Sequence, residues 1–284
     1  MPALTYRTLI SPPVPVATDR LLPNGDTRMF SPMTTTLIAG DHDAILVDPP
    51  LTSDQAAAVG DWIDDSGRVL RAIYVTHGHG DHWFGSGPLI DRFPGTVVYA
   101  SEGTIALMRA QVWPKRLAEW DAMFPGQVPQ VEVLAVTPTG GHVELEGHDL
   151  HVVEIGHTDT DSTTVLHVPD IALVVAGDAV CDNVHPYLGE ARGDGIRQWL
   201  DALDKIEALA PAAVVSGHKD ETRTDDPATI GETRRYLLDG RDQLDQQTDA
   251  RGFFDAMMKL YPDRVNPGAL WSSAVALFGE GGAQ

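Results

Sequence analysis

Hydrophobic positions along this chain recur with two periods. Met33 to Ile38, Ala44 to Val47 and Val69 to Val75 are short apolar or alternating runs rich in branched side chains, and they predict strands. Gly40-Asp41-His42-Asp43 closes the first two into a hairpin. Residues 53–66 (SDQAAAVGDWIDDS) place alanines and Ile63 on one face, which predicts a helix capped by Ser53 or Asp54. Pro88 to Phe93 predicts a short helix and Thr96 to Ala100 a strand. Ser101 to Ala118 predicts a longer helix, capped by Ser101 and kinked or divided at Pro114. Ahead of these, Pro12, Pro13, Pro15 and Pro23 make residues 1–23 an extended opening segment with an edge strand interrupted by turns.

The second half repeats the rhythm. Val131-Glu132-Val133-Leu134, Val143-Glu144-Leu145 and Leu150 to Ile155 alternate as a meander, with turns at Thr139-Gly140-Gly141 and Gly147. Residues from about 227 onward predict an amphipathic helical tail. Its apolar side chains Ile230, Tyr236, Leu237, Phe253, Phe254 and Met257 dock on the rest, and a homodimer contact is a further use of it. Segment 105–128 carries Met108, Val112, Trp113, Trp120, Met123 and Phe124, which serve either as core or as the lid of an apolar pocket.

Composition narrows the partners. The 284 residues include 20 basic and 41 acidic ones, for a net charge of −21, and no Lys/Arg cluster offers a footprint for phosphate backbones, so nucleic acid is not expected. No apolar run is long enough to span a bilayer, and the N-terminal residues lack an export pattern, so the expected setting is the cytoplasm, off the membrane. Cys181 is the single cysteine and can form no intramolecular disulfide.

The chemistry is concentrated in Thr76-His77-Gly78-His79-Gly80-Asp81-His82. Three imidazoles and a carboxylate within six residues, spaced by glycines and preceded by an apolar strand, read as a metal site. Nitrogen and oxygen donors without cysteine suit zinc, iron, manganese or nickel. Three further apolar strands end the same way: Val152 to Gly156 leads into His157, Leu173 to Gly177 into Asp178, and Ala213 to Gly217 into His218. Functional side chains gather at carboxyl ends of strands in α/β architectures, so these four ends are expected to converge. Asp48, which closes the strand Ala44 to Val47, either orients the ligands or is a helix-starting or solvated aspartate.

In these motifs the chain resembles the metallo-β-lactamase-fold hydrolases, over roughly residues 30 to 220. HxHxDH stands at His77, His79, Asp81 and His82, GHT at Gly156-His157-Thr158, GD at Gly177-Asp178 and GH at Gly217-His218, in the family's order. The resemblance implies an α/β fold, a four-layer αββα sandwich in one domain, and the amphipathic tail over about residues 227–284 adds a helical C-terminal extension packed on it. It implies two divalent metal ions, zinc first, with manganese or iron also accommodated. His77, His79 and His157 would hold one; Asp81, His82 and His218 the other; Asp178 would bridge them. The chain departs from the family where Thr160 and Asp161 replace the usual Gly-Ser or Gly-His, and Cys181 is not at a ligand position.

The activity that this resemblance implies is that of a dinuclear metal-dependent hydrolase. Its metal-bound hydroxide would cleave an ester, lactone, thioester or lactam of a small molecule, with Asp81 relaying a proton. His185 and Tyr187, after the Asp178 strand, either face the substrate as hydrogen-bond donors or belong to a structural turn around Pro186. The alternative on the same fold is an iron-dependent, persulfide dioxygenase-like redox enzyme.

Overall fold

The computed structural model describes residues 3–112, 114–130, 133 and 135–279. In the first half, strands β1 (Thr5–Ser11), β2 (Met33–Ala39), β3 (Asp43–Val47), β4 (Val69–Tyr74) and β5 (Val97–Tyr99) lie side by side in chain order. β1, β2 and β3 pair antiparallel, while β3, β4 and β5 run parallel. The parallel steps are made by helices α1 (Ser53–Ser66) and α2 (Ser86–Arg92). After β5 come α3 (Glu102–Gln111) and two short turns of helix, α4 (Lys115–Ala118) and α5 (Trp120–Met123). The second half builds the second sheet from β6 (His142–Leu145), β7 (His148–Gly156), β8 (Thr163–Val168), β9 (Leu173–Asp182) and β10 (Ala213–Lys219), in the order β10-β9-β8-β7-β6. Only its β9/β10 pair is parallel, and α6 (Gly195–Ala208) makes that crossover. Helices α7 (Ala228–Gln246), α8 (Ala250–Leu260) and α9 (Pro267–Phe278) complete the described chain.

Side-chain alternation sorts these elements into four layers. Because successive residues of a strand face opposite sides, Ile45 and Val47 of β3 and Leu173 and Val175 of β9 meet between the sheets, with Tyr74, Leu166 and Val215. Ala44 and Leu46 face the other way, against Val59 and Ile63 of α1, Leu89 of α2 and Met108 of α3. Val174 and Ala176 likewise face Trp199, Leu203 and Ile206 of α6, together with Tyr236, Leu237, Phe253 and Phe254 from α7 and α8. Each such fully buried large side chain contributes about 1.5–3 kcal/mol. The expected αββα sandwich is thus formed, and the C-terminal helices are packed on the second sheet.

Several local expectations change. The cap of α1 is Thr52, one residue before the expected pair, because its hydroxyl accepts from the Gln55 N–H while the Gln55 side chain reaches back to the Thr52 N–H. α3 ends before Pro114, as the missing amide donor dictates. In segment 105–128, Met108, Trp120, Phe124 and Val128 are buried core, not a free lid. Trp113 lies outside the described residues, as do Val131, Glu132 and Leu134 of the first expected meander strand. β9 runs on to Asp182, so Asp178 sits inside a strand and not in the loop beyond it. Among the described residues, no helix is long and apolar enough to cross a membrane.

The two sheets are also tied by a carboxylate. Glu146, in the turn between β6 and β7 with φ 50°, accepts the backbone N–H groups of Asp41, His42 and Asp43 at 2.9, 2.7 and 2.7 Å. Those three amides belong to the β2–β3 turn, and they hold the Glu146 carboxyl down at about 2. The folded pKa lies below the ordinary value of 4.5, so this stabilisation is present above pH 4.5 and is lost as pH falls toward about 2. Glu146→Ala is expected to melt at lower temperature than the parent at pH 7. The gap should narrow as pH falls from about 4.5 to about 2 in paired thermal melts. A gap that stays constant across that window would mean the carboxylate charge is not what holds the turn.

Candidate metal centre

The site begins with a buried carboxylate at the end of β3. Asp48, at φ 52°, turns out of the strand and accepts three hydrogen bonds: the Thr76 N–H at 2.9 Å, the Thr76 hydroxyl at 2.7 Å and Nδ1 of His82 at 3.0 Å. The Thr76 hydroxyl is then left to accept from Nδ1 of His77 at 3.0 Å. On the opposite sheet, Nδ1 of His218 donates to the carbonyl of Pro32 at 2.8 Å. An imidazole that donates through Nδ1 keeps a bare lone pair on Nε2. His77, His82 and His218 therefore all aim Nε2 at the cleft between the sheets, where it is a ligand atom once deprotonated.

Carboxylates face those nitrogens. Asp178 places Oδ1 at 3.1 Å from Nε2 of His82 and Oδ2 at 3.1 Å from Nε2 of His218. Asp81 Oδ2 lies 3.5 Å from both of the same nitrogens. Asp159 Oδ2 lies 2.8 Å from Nδ1 of His79 and 3.5 Å from Nε2 of His77. Yet Nε2 of His77, Nε2 of His82, Oδ2 of Asp159 and Oδ1 of Asp178 are buried without a properly aligned hydrogen bond among the described residues. Donors arranged tetrahedrally around one ion at about 2.0–2.2 Å stand roughly 3.3–3.6 Å apart, which is close to the spacing most of these pairs keep. The donor set fits divalent cations.

Electrostatics point the same way. Burial disfavours charge on His79 and His218, but Asp159 beside the first and Asp178 beside the second outweigh it and lift each imidazole to about 10. Asp159 is likewise held down at about 2, its burial overcome by His77 and then His79. These carboxylates demand positive charge among them. Two glycines make room for the cluster: Gly177 adopts φ 52°, and a β-carbon on Gly217 would press into the Asp178 carboxylate and the His82 ring.

Among the described residues, three groups bring donor atoms within 4.8 Å of one another: Asp81-His82-His218, His77-His79-Asp159, and Asp48-His77-His82. Asp48 is already engaged in orienting its neighbours. His157 is in none of the three, but Asp161 Oδ1 holds its Nδ1 at 2.6 Å and its Nε2, beside Gly195 at the start of α6, is buried without an aligned hydrogen bond like those of His77 and His82. Thr160 donates to Glu190 at 2.8 Å, and Glu190 also lies 3.3 Å from Nε2 of His79. Tyr187 packs near His79, 6.2 Å between rings, and burial followed by the Glu190 charge pushes its hydroxyl up to about 12. His185, expected at the substrate side, is buried with Nδ1 2.9 Å from the Tyr236 hydroxyl, and burial followed by Arg264 pulls it down to about 3. Cys181 is buried beneath Asp178, its thiol pushed up by burial, and behaves as a small core residue.

Residues 30–218 match the sequence model of the metallo-beta-lactamase superfamily. The chain belongs to that superfamily. It is 26% identical over 190 residues to a type 2 metallo-beta-lactamase of Bacteroides fragilis, covering 65% of this chain and 68% of that one. It is 27% identical over 180 residues to a hydroxyacylglutathione hydrolase of Actinobacillus pleuropneumoniae serotype 5b, covering 62% of this chain and 63% of that one. A crystal structure of a metallo-beta-lactamase family protein from Thermus thermophilus superposes with a TM-score of 0.65 at 20% identity, over 95% of this chain and 91% of that one. Membership in the metallo-beta-lactamase superfamily accounts for the fold and for His/Asp clusters able to hold metals.

Two participants escaped the sequence reading. Asp159 had a faint signal, a carboxylate two residues past His157 in a Thr-Asp-Thr-Asp run. Glu190 had none, lying 111 residues from His79. Asp48, by contrast, was legible as a carboxylate at a strand end. Removing it orphans three buried groups, each at a cost of about 1–3 kcal/mol. Asp48→Ala is therefore expected to lose several kcal/mol in urea unfolding and to weaken metal uptake measured by chelator competition. Unchanged unfolding would show that Asp48 does not anchor the loop.

Proposed function

We propose that the protein is a dinuclear metal-dependent hydrolase acting on an ester, lactone, thioester or lactam bond of a small molecule. The observation that carries this is the convergence of imidazole nitrogens and carboxylate oxygens in a buried cleft, several of them without an aligned hydrogen bond. His82, His218 and Asp81 would hold one cation, and His77, His79 and His157 the other, with Asp178 between them. Zinc is the first expectation, with manganese or iron accepted by the same donors. Bound there, two divalent cations supply hydroxide near neutral pH and an electrophile for the carbonyl oxygen.

The chain's own groups would supply the rest. Asp81, kept ionised against burial by His82 and then His218, accepts and relays the proton of the attacking water. Tyr187 remains a protonated donor at neutral pH beside His79, placed for a substrate oxygen. Phe30 sits edge-on to His218 at 6.3 Å and to Trp120 and Phe124, an apolar wall for the part of the substrate that does not react. The relatives' names support the reaction class, and the acidic surface and the scattered basic residues support a small molecule over nucleic acid.

Metal content per chain, measured together with a panel of ester, lactone, thioester, lactam and phosphodiester substrates, tests this reading. About two zinc or manganese ions are expected, with hydrolysis abolished by chelation and restored by added metal. One iron per chain, oxygen consumption with persulfides and no hydrolysis would replace it with the iron redox enzyme.

A further inference from the structure

We propose that Glu190 is a positioning residue of the first metal site: its carboxylate holds His79 from behind through Nε2, and the Thr160 hydroxyl holds the carboxylate. This rests on the dinuclear reading above and adds a residue to the support of one of its sites. His79 uses its two ring nitrogens on different sides. Nδ1 faces the cleft, 2.8 Å from the Asp159 oxygen that also neighbours Nε2 of His77. Nε2 lies 3.3 Å from Glu190 Oε1. With a metal on Nδ1, the ring proton belongs to Nε2, which donates it to Glu190. The other carboxylate oxygen, Oε2, accepts the Thr160 hydroxyl at 2.8 Å. Among the described residues, Glu190 joins none of the groups able to hold a metal, so it meets the ion only through the imidazole.

A carboxylate that is 40% exposed, against a ring that is 13% exposed, would fix little on its own, because a mobile surface pair contributes no more than about 1 kcal/mol. Two anchors remove that mobility. Thr160 is buried, at 4% exposure, and grips the carboxylate itself. Leu188 and Ala191, on either side of Glu190, are buried too; the Leu188 N–H donates to the Ser273 hydroxyl at 2.8 Å and the Ala191 N–H to the Leu188 carbonyl at 3.0 Å. Thr160 stands where the family has glycine, which has no side chain to hold a carboxylate. The neighbouring departure acts in the same way, since Asp161 accepts from Nδ1 of His157 at 2.6 Å. The Thr76 hydroxyl holds His77 through Nδ1. Each imidazole of the first site is thus gripped by the nitrogen opposite its ligand atom, and two of the three grips depend on residues 160 and 161. Through Thr160 and Glu190, the loop after β7 is tied to the loop after β9 and to the ligand loop after β4.

The test measures zinc binding by the parent, Glu190→Ala, Thr160→Val, Thr160→Ser and the double variant Glu190→Ala/Thr160→Val. Affinities come from chelator competition, and the nitrogen-15 signals of labelled histidines during zinc titration show which rings each ion engages. The parent is expected to bind about two zinc ions. In Glu190→Ala the ion on His79 should weaken about 10–100-fold, while the ion on His82 and His218 stays within about threefold of the parent. Thr160→Val should weaken the same ion, and Thr160→Ser, which keeps the hydroxyl, should not. Because Thr160 acts through Glu190, the double variant should match Glu190→Ala alone within about twofold. Parent affinity for both ions in Glu190→Ala, equal weakening of both, or costs that add in the double variant would each overturn the proposal and leave the dinuclear centre standing. A parent that binds no metal overturns both. Circular dichroism checks folding, and if Glu190→Ala folds poorly the contrast between Thr160→Val and Thr160→Ser still decides.

Discussion

Most of the site hangs from the Asp48 carboxylate. Both of its oxygens are buried, and between them they fix the amide and hydroxyl of Thr76 and the ring of His82. Through Thr76 they fix His77 as well. One residue at the end of β3 thus sets the tautomer and aim of two imidazoles on the loop after β4. A short loop containing two glycines has little conformational preference of its own; without a rigid anchor, the entropy of ordering it would work against convergence. The anchor is rigid because β3 is itself buried on both faces, between the helical layer that Leu46 meets and the inter-sheet layer that Val47 meets.

The second sheet solves a different problem. Asp178 and His218 must reach the same cleft from strands that are paired in parallel, and a regular ladder would send neighbouring side chains alternately to opposite faces. The register between β9 and β10 shifts twice, between Val215 and Ser216 and again between Ser216 and His218. Gly177 takes a left-handed conformation just before Asp178. Those irregularities interrupt the pleat where the ligands need to leave it, at the price of ladder regularity in a fully buried strand.

How much of this was legible depended on distance along the chain. The fold could be read because its periodicities are local: α1, β4 and the β2–β3 hairpin arise from their own residues. His77, His79, Asp81 and His82 were legible because they lie within six positions, and Asp178 and His218 because each comes after an apolar run and a glycine. Asp48 was legible from its place at a strand end. What could not be read was geometry set by packing. Nothing local says that the turn at Thr158-Asp159-Thr160 buries its aspartate and leaves His157 beside Asp161, or that His185 is drawn into the C-terminal helices by Tyr236. Nor does any local signal say that Glu146 clamps a turn at Asp41, 105 residues earlier, a contact that exists only once the two sheets face one another.

The same geometry links stability to loading. Buried polar atoms left unpaired each cost about 1–3 kcal/mol, and here several are gathered in one cleft, with carboxylates and imidazoles held near one another by burial. Protons can answer part of that demand, which is why His79 and His218 are lifted so far and Asp159 is pressed down. A proton satisfies one pair at a time, whereas a divalent cation satisfies about three or four donors at once and matches a cleft rich in carboxylate. Ligands that bind only the folded chain stabilise it by mass action. A metal held there would therefore add to the cohesion of the two sheets where the pleat is interrupted, so that the region most burdened by unpaired buried charge is also the region its cofactor would reinforce.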